Sequence, residues 1–294
     1  MKIYEDAIKN RYEFVMLYDV ENGNPNGDPD SGNMPRIDAE TMRGLVTDVC
    51  IKRKIRNYID MVKDKSDGFD IYIRQDEALE AKDDEAIKNL EESKDKKEKS
   101  ASFRDYMCKK YYDVRTFGAV ITGATKDKSL SNVAGQVRGP VQLAFGKSID
   151  PIMQKEISIT RVTATTNEKA DKASTEMGKK YIVPYALYRQ EGFISANLAQ
   201  RITGFSDSDL EILWEAITNM FEFDRSAARG IMTLRGLYIF KHDNAFGNAS
   251  AHSLFDMLKV ERLPDVSVAR KFEDYSVTLD ENIPEGVSVS VITL

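Results

Sequence analysis

The chain has little of what builds redox, metal or membrane chemistry. Cys50 and Cys108 are its only cysteines, far apart and without a CxxC pair, which excludes a disulfide framework and a structural zinc site. Both are expected to be unreactive thiols. No stretch approaches the ~18 apolar residues of a membrane span, and Met1 to Arg11 is charged, without the apolar core of a signal peptide. A cytoplasmic protein is expected. The glycines form neither GxGxxG nor GxxxxGKS/T, and no set of converging ligands stands out, so no cofactor and no metal are expected.

Net positive charge is lacking too: the formal balance is −6 over 294 residues, which taken alone argues against a nucleic-acid partner. Its distribution points the other way. Asp76 to Lys99 holds ten acids against six lysines, whereas Arg36 to Arg56 holds six cations against three acids. A basic track on a mildly acidic body follows, with a solvated helix face as the alternative. At 41% hydrophobic residues there is enough apolar side chain for one large domain or two small ones.

The basic track follows a loop. From Glu21 the sequence reads Glu-Asn-Gly-Asn-Pro-Asn-Gly-Asp-Pro-Asp-Ser-Gly-Asn-Met-Pro-Arg. Gly23, Gly27 and Gly32 permit backbone angles that a Cβ resists, and the Asn and Asp residues supply local turn bonds. Such a loop can present amide N–H groups where a helix begins. Beyond it, Lys52, Arg53, Lys54 and Arg56 carry charge that phosphates would neutralise. The pattern points to nucleic-acid backbone binding before catalysis.

Tyr12 to Val20 alternates Tyr12, Phe14, Met16 and Tyr18 with Val15 and Leu17, the pattern of a central strand buried on both faces. The next helix is expected from Asp38. Its apolar positions fall into two sets half a turn out of phase, Met42, Leu45, Val46, Val49 and then Ile51, Ile55, Tyr58, Ile59, Val62, so it is either covered on two sides or bent near Cys50. Phe69 to Ile73 reads as a short strand. The charged run to Ser100 has only a thin apolar stripe and is expected to be a mobile helical excursion or disordered. Arg115 to Thr122 and Val141 to Phe145 read as strands joined by the loop Gly123 to Pro140. Two β-prone arms between Ile157 and Leu187 flank a polar tip, Asn167 to Gly178, and predict a protruding hairpin.

A strand over Gly192 to Leu198 is expected next. Ser206 and Asp209 then cap a helix whose Leu210, Leu213, Trp214, Ile217 and Phe221 face inward. Leu234 to Phe240 supplies another strand, and Pro264 to Leu294 is expected to be irregular with one or two edge strands. The fold class is α+β, in the ferredoxin-like order strand, helix, strand, strand, helix, strand with large insertions.

Five blocks in order carry a resemblance: Asn26 to Asp38, Gly44 to Tyr58, Arg138 to Gln142, Ser158 to Arg161 and Asp224 to Gly230. Together they resemble the backbone subunit of the CRISPR Cascade surveillance complex, type I-C (the "Cas-seven" family). The resemblance implies a single RRM-like palm over 1–294, a helical finger insertion at 74–111 and a β-hairpin thumb at 157–185. It also implies several copies stacked along one CRISPR RNA, with target DNA reached through that RNA and other Cascade subunits as partners.

Carried onto this sequence, the resemblance places RNA contacts at Asn33, Arg36, Arg43, Lys52, Lys54 and Arg56, each cation alternatively solvated or locally paired. Arg43 and Lys54, eleven residues apart, would be nearly in phase and ~16 Å apart on a straight helix. Gln136 and Arg138 in the linker, and Thr160, Arg161, Lys179 and Lys180 on the thumb, complete the expected RNA-binding set. No catalytic residue is expected. The rival is a metal-dependent ribonuclease using Asp28 or Asp30, although turn chemistry explains both acids. Arg235 to Phe240 lacks the aromatic after its glycine that an RNA-stacking strand needs, and reads as a core strand with Tyr238 exposed.

Overall fold

The computed structural model describes residues 3–89, 96–121, 136–161 and 176–293. It is a mixed α/β structure built on a central antiparallel sheet. The strand β1 (Tyr12–Gly23) lies between β10 (Glu176–Ile194) and β11 (Ile231–His242), antiparallel to both. Every residue from Tyr12 to Val20 is buried, as the alternation predicts for a strand covered on both faces. The sheet extends through β8 (Gly146–Pro151) to β4 (Arg43–Val46) at one edge and ends at β14 (Val287–Thr293) at the other.

Phe14, Met16, Tyr18 and Val20 point to the face covered by α1 (Asp48–Lys63) and by α5 (Asp207–Phe223). On α5, Leu210, Leu213, Ile217 and Phe221 are buried and Trp214 meets Phe14 edge-on at 5.1 Å. The Ser206 side chain accepts from the Asp209 amide, and the Asp209 carboxylate accepts from the Ser206 amide, closing a capping box. Val15 and Leu17 face the other way, toward Leu254 and Phe255 on α6 (Ala251–Asp256) and the hairpin of β12 (Leu258–Arg262) and β13 (Tyr275–Leu279). Tyr238 joins this second layer and is buried, not exposed.

The helix expected from Asp38 is two elements. Asp38 accepts from the Glu40 amide and the Thr41 hydroxyl in a local turn, and Met42 then adopts φ 57°, which no right-handed helix accommodates. The chain continues as β4, and Thr47 caps α1 through its hydroxyl, which accepts from the Cys50 amide. The two apolar sets are out of phase because one belongs to a strand and its flanks and the other to a helix.

Phe69 to Ile73 forms no strand. The Asp113 carboxylate accepts from the Tyr72 and Ile73 amides, and Asp70 accepts from Ile71, so side chains satisfy the donors a sheet would have used. The charged insertion is packed where it is described: α2 (Leu79–Lys88) and α3 (Lys96–Lys110) bury Ala86, Phe103 and Met107 against Tyr72, Tyr111 and Val137. Arg115 lies in a helix, α4 (Tyr112–Phe117), before the short β5 (Gly118–Val120). β5 pairs with β6 (Gln136–Arg138), and β7 (Val141–Leu143) pairs with β10.

β9 (Lys155–Arg161) pairs with the first third of β10, from Glu176 opposite Arg161 to Ile182 opposite Lys155. The expected polar tip lies for the most part outside the described residues, as does most of the 123–140 loop. The strand expected at Gly192 to Leu198 is the end of β10, which stops at Ile194 where Ser195 caps a short turn. Among the described residues no helix is long and apolar enough to cross a membrane.

Candidate nucleic-acid interface

The Gly-rich loop is fastened to the start of α1. Asn26 Oδ1 accepts from both the amide and the hydroxyl of Thr47 at 2.9 Å, and Asn24 Nδ2 donates to the Asn33 carbonyl at 2.7 Å. Within the loop, β2 (Gly27–Asp28) pairs with β3 (Met34–Pro35), and the turn between them carries Gly32 at φ 61° and Asn33 at φ 66°. Arg36 Nη1 stands 3.4 Å from Asp28. Arg36 Nε and Asn24 Oδ1 are buried with no hydrogen-bond partner among the described residues, which is unusual for buried polar atoms and marks the loop as unsatisfied by the chain itself.

The cations divide sharply by environment. Arg43, on the edge strand, and Arg53, on α1, are exposed and make no ion pair among the described residues. Lys52 is half-buried, 2.9 Å from Asp48 and 5.6 Å from the centre of the Phe117 ring. Lys54 and Arg56 are buried: Lys54 pairs with Asp224, and Arg56 Nε donates to Asp113 at 2.7 Å. The expected in-phase pair of Arg43 and Lys54 therefore does not exist, since the two sit on different elements and Lys54 points inward. A groove of about 220 Å³ runs along α1 past Lys52, Arg53 and Phe117 to Gly118.

Sequence reading overlooked the organising role of the 224–230 segment. Asp224 is held by Lys54 and, at 2.9 Å, by Arg229. The Asn24 amide donates to the Ala228 carbonyl at 2.9 Å, and Lys180 Nζ donates to the Ala227 carbonyl at 2.9 Å. One loop thus ties together α1, the Gly-rich loop and the base of the β9–β10 hairpin. Gly23 makes the closest approach possible, since a Cβ there would stand 1.8 Å from the Arg229 carbonyl oxygen. The signal available beforehand was the block Asp-Arg-Ser-Ala-Ala-Arg-Gly itself, with two arginines around small residues.

On the hairpin, Thr160 is exposed and Lys179 pairs with Glu156 at 2.6 Å, while the Arg161 side chain lies outside what is described. Gln136 and Arg138 point outward on β6, with Val137 between them in the insertion's core. Asp28 accepts from the Asp30 amide at 3.2 Å and from Ser31 at 3.5 Å, so it is engaged in its turn. Among the described residues no three His, Cys, Asp or Glu side chains converge as a metal site. Burial holds the Cys50 thiol above its ordinary value, with Lys54 the main opposing influence, which keeps it protonated.

What the site can do is hold an extended polyanion: exposed Arg43 and Arg53, half-exposed Arg36 and Lys52, and a loop with unsatisfied polar atoms. A family model described as CRISPR-associated protein Cas7 matches residues 10–280. A CRISPR-associated protein Cas7 of Haloferax volcanii is 30% identical over 232 residues, 71% of this chain and 65% of that protein. The matched stretch is thus a little under two thirds of that relative.

Solved chains of a "CRISPR RNA-guided surveillance complex, pre-nicking" and of a "CRISPR RNA-guided surveillance complex" are similar at TM-scores of 0.49 and 0.44 and identities of 13% and 15%. The first similarity covers 78% of both chains, the second 77% of this chain and 68% of the other. With the family model running from the start of the central strand to the last hairpin, the chain belongs to the CRISPR-associated Cas7 family.

Proposed function

We propose that this chain is a non-catalytic backbone subunit that binds CRISPR RNA, assembles in several copies along it, and orders its bases for pairing with target DNA beside other Cascade subunits of type I-C, in the cytoplasm. Family membership supports the RNA-binding backbone role. The sheet order β11–β1–β10–β8 with α1 and α5 on one face supports reading the core as an RRM-like palm, with fingers at 74–111 and a thumb at 157–185. The observation that carries the proposal is the loop-to-α1 surface, where exposed Arg43 and Arg53 make no ion pair among the described residues and follow a loop whose Arg36 Nε has no partner among them. Phosphate and sugar contacts of this kind set register while base pairing supplies sequence.

The RNA-stacking face of an ordinary RRM is occupied here by α6 and the β12–β13 hairpin, which favours the loop and helix surface as the RNA path. Co-expression with a CRISPR array, followed by sizing and extraction of bound RNA, tests the reading: RNA-containing assemblies whose size follows RNA length are expected, and protein free of nucleic acid would overturn it. Labelled RNA incubated with the protein and Mg²⁺ or Mn²⁺ is expected to stay intact. Cleavage abolished by Asp28→Asn or Asp30→Asn would establish the ribonuclease instead.

A further inference from the structure

Gly118 closes one end of the α1 groove, and its partner across the β5–β6 ladder, Arg138, opens onto a second cavity of about 550 Å³. This cavity lies between the start of β1, the end of β10 and the segment after β11, with Arg11, Arg138, Gln142, Phe193 and Phe246 on its walls. Phe246 is 76% exposed, yet its backbone is firmly held. Asn244 Oδ1 accepts from the Phe246 and Gly247 amides at 2.9 Å, Arg11 Nη1 donates to the Phe246 carbonyl at 2.9 Å, and Asn197 Nδ2 donates to the Ala245 carbonyl at 3.2 Å. The ring therefore stands at the cavity on a fixed backbone, with its face open to a ligand.

The charge around the ring narrows what that partner is. Glu13 is the acid on the wall, and it is already engaged by Arg11 and, at 2.5 Å, by His242. His242 Nδ1 accepts from the Asn248 amide at 2.8 Å, so Nε2 carries the hydrogen given to Glu13. Arg138 is exposed and makes no ion pair among the described residues. Gln142 Nε2 already donates to the Gly139 carbonyl at 3.0 Å and to the Phe117 carbonyl at 3.3 Å, which leaves its oxygen as an acceptor. The cavity thus combines the Arg138 guanidinium, the Gln142 amide oxygen and a flat aromatic face, the chemistry that recognises a planar base joined to a phosphate. An acidic peptide would use Arg138 but offer the Phe246 ring no planar partner.

We propose that this cavity takes one unstacked nucleotide of a single strand, with its base against Phe246 and its phosphate at Arg138. The proposal rests on the RNA-binding reading and extends the path from the α1 groove across the β5–β6 ladder.

The test uses the full chain freed of nucleic acid and a short single-stranded RNA oligonucleotide as probe. Phe246→Trp adds an exposed indole to Trp214, the one native tryptophan, which packs against Phe14. RNA retention measured by filter binding together with quenching of the new indole is expected, and Phe246→Ala should weaken retention about fivefold or more with an unchanged circular dichroism spectrum. RNA retained without quenching overturns the pocket and leaves the RNA-binding reading standing. No RNA retained overturns both. Quenching that follows protein concentration without RNA assigns the cavity to a protein contact and overturns the proposal.

Discussion

Lys54 on α1 and Asp224 at the end of α5 form an ion pair almost wholly shielded from water, and Arg229 holds the other oxygen of that carboxylate at 2.9 Å. A lysine that the sequence places in a row of RNA-facing cations is instead the bolt between a helix and the 224–230 loop. Removing Asp224 strands a buried ammonium, so Asp224→Ala is expected to destabilise the fold by about 3–5 kcal/mol. Lys54→Met, which leaves Asp224 its arginine and replaces the lysine with an apolar side chain, should cost less. Urea denaturation of the two variants measures the order, and equal losses would contradict it.

The exposed cations make the opposite prediction. Arg43→Ala with Arg53→Ala should leave stability unchanged, because both guanidinium groups are exposed and make no ion pair among the described residues. RNA retention should fall, and the slope of log affinity against log salt should shrink by about 1.4 if each contacts one phosphate of a single strand. Filter binding over a salt series reads both quantities. An unaltered slope would mean that the strand runs elsewhere.

Two glycines of the loop are expected to respond for different reasons. Gly23→Ala drives a Cβ into the Arg229 carbonyl and should cost about 1–3 kcal/mol, loosening the contact between the Gly-rich loop and the 224–230 segment. Gly32 has open space around it but a φ of 61°, so Gly32→Ala should cost about 1–2 kcal/mol from backbone strain alone. Only the first is expected to increase hydrogen exchange at the Asn24 amide, which bonds into that segment.

Glu77, in the charged insertion, is pulled down to about 2, chiefly by its hydrogen bond to Lys82 and also by Arg74. A carboxyl whose folded value lies below its unfolded one contributes stability above the unfolded value and loses it as pH falls toward the folded one. Between about pH 4.5 and 2 the insertion should therefore weaken, by a modest amount since the group is largely open to solvent and salt. An NMR titration of Glu77 gives the midpoint, and a value near 4.5 would show that the Lys82 and Arg74 contacts do not hold in solution.

The central strand, the capped helix α5 and the paired arms of β9 and β10 were legible because each follows from a local period or cap. Tyr12 to Val20 alternates, Ser206 and Asp209 close their box, and the 157–187 arms are β-prone. The break at Met42 was not legible: a residue in the left-handed region, followed by four strand residues, mimics a helix with a phase error. The role of each cation was equally hidden. Neighbours on α1 such as Arg53 and Lys54 differ only in which way the helix turns them, and the acids that bury Lys54 and Arg56 lie 170 and 57 positions away. The order of the charged insertion was missed because Tyr72, Phe103 and Tyr111, which lie outside the run or at its far end, supply most of its core.

β10 runs nineteen residues without interruption, from the hairpin arm to the heart of the sheet, a rod of about 60 Å at the usual rise. Whatever seizes the outer arm therefore pulls on the same backbone that fixes the middle of the molecule, and no joint lies between to absorb the load.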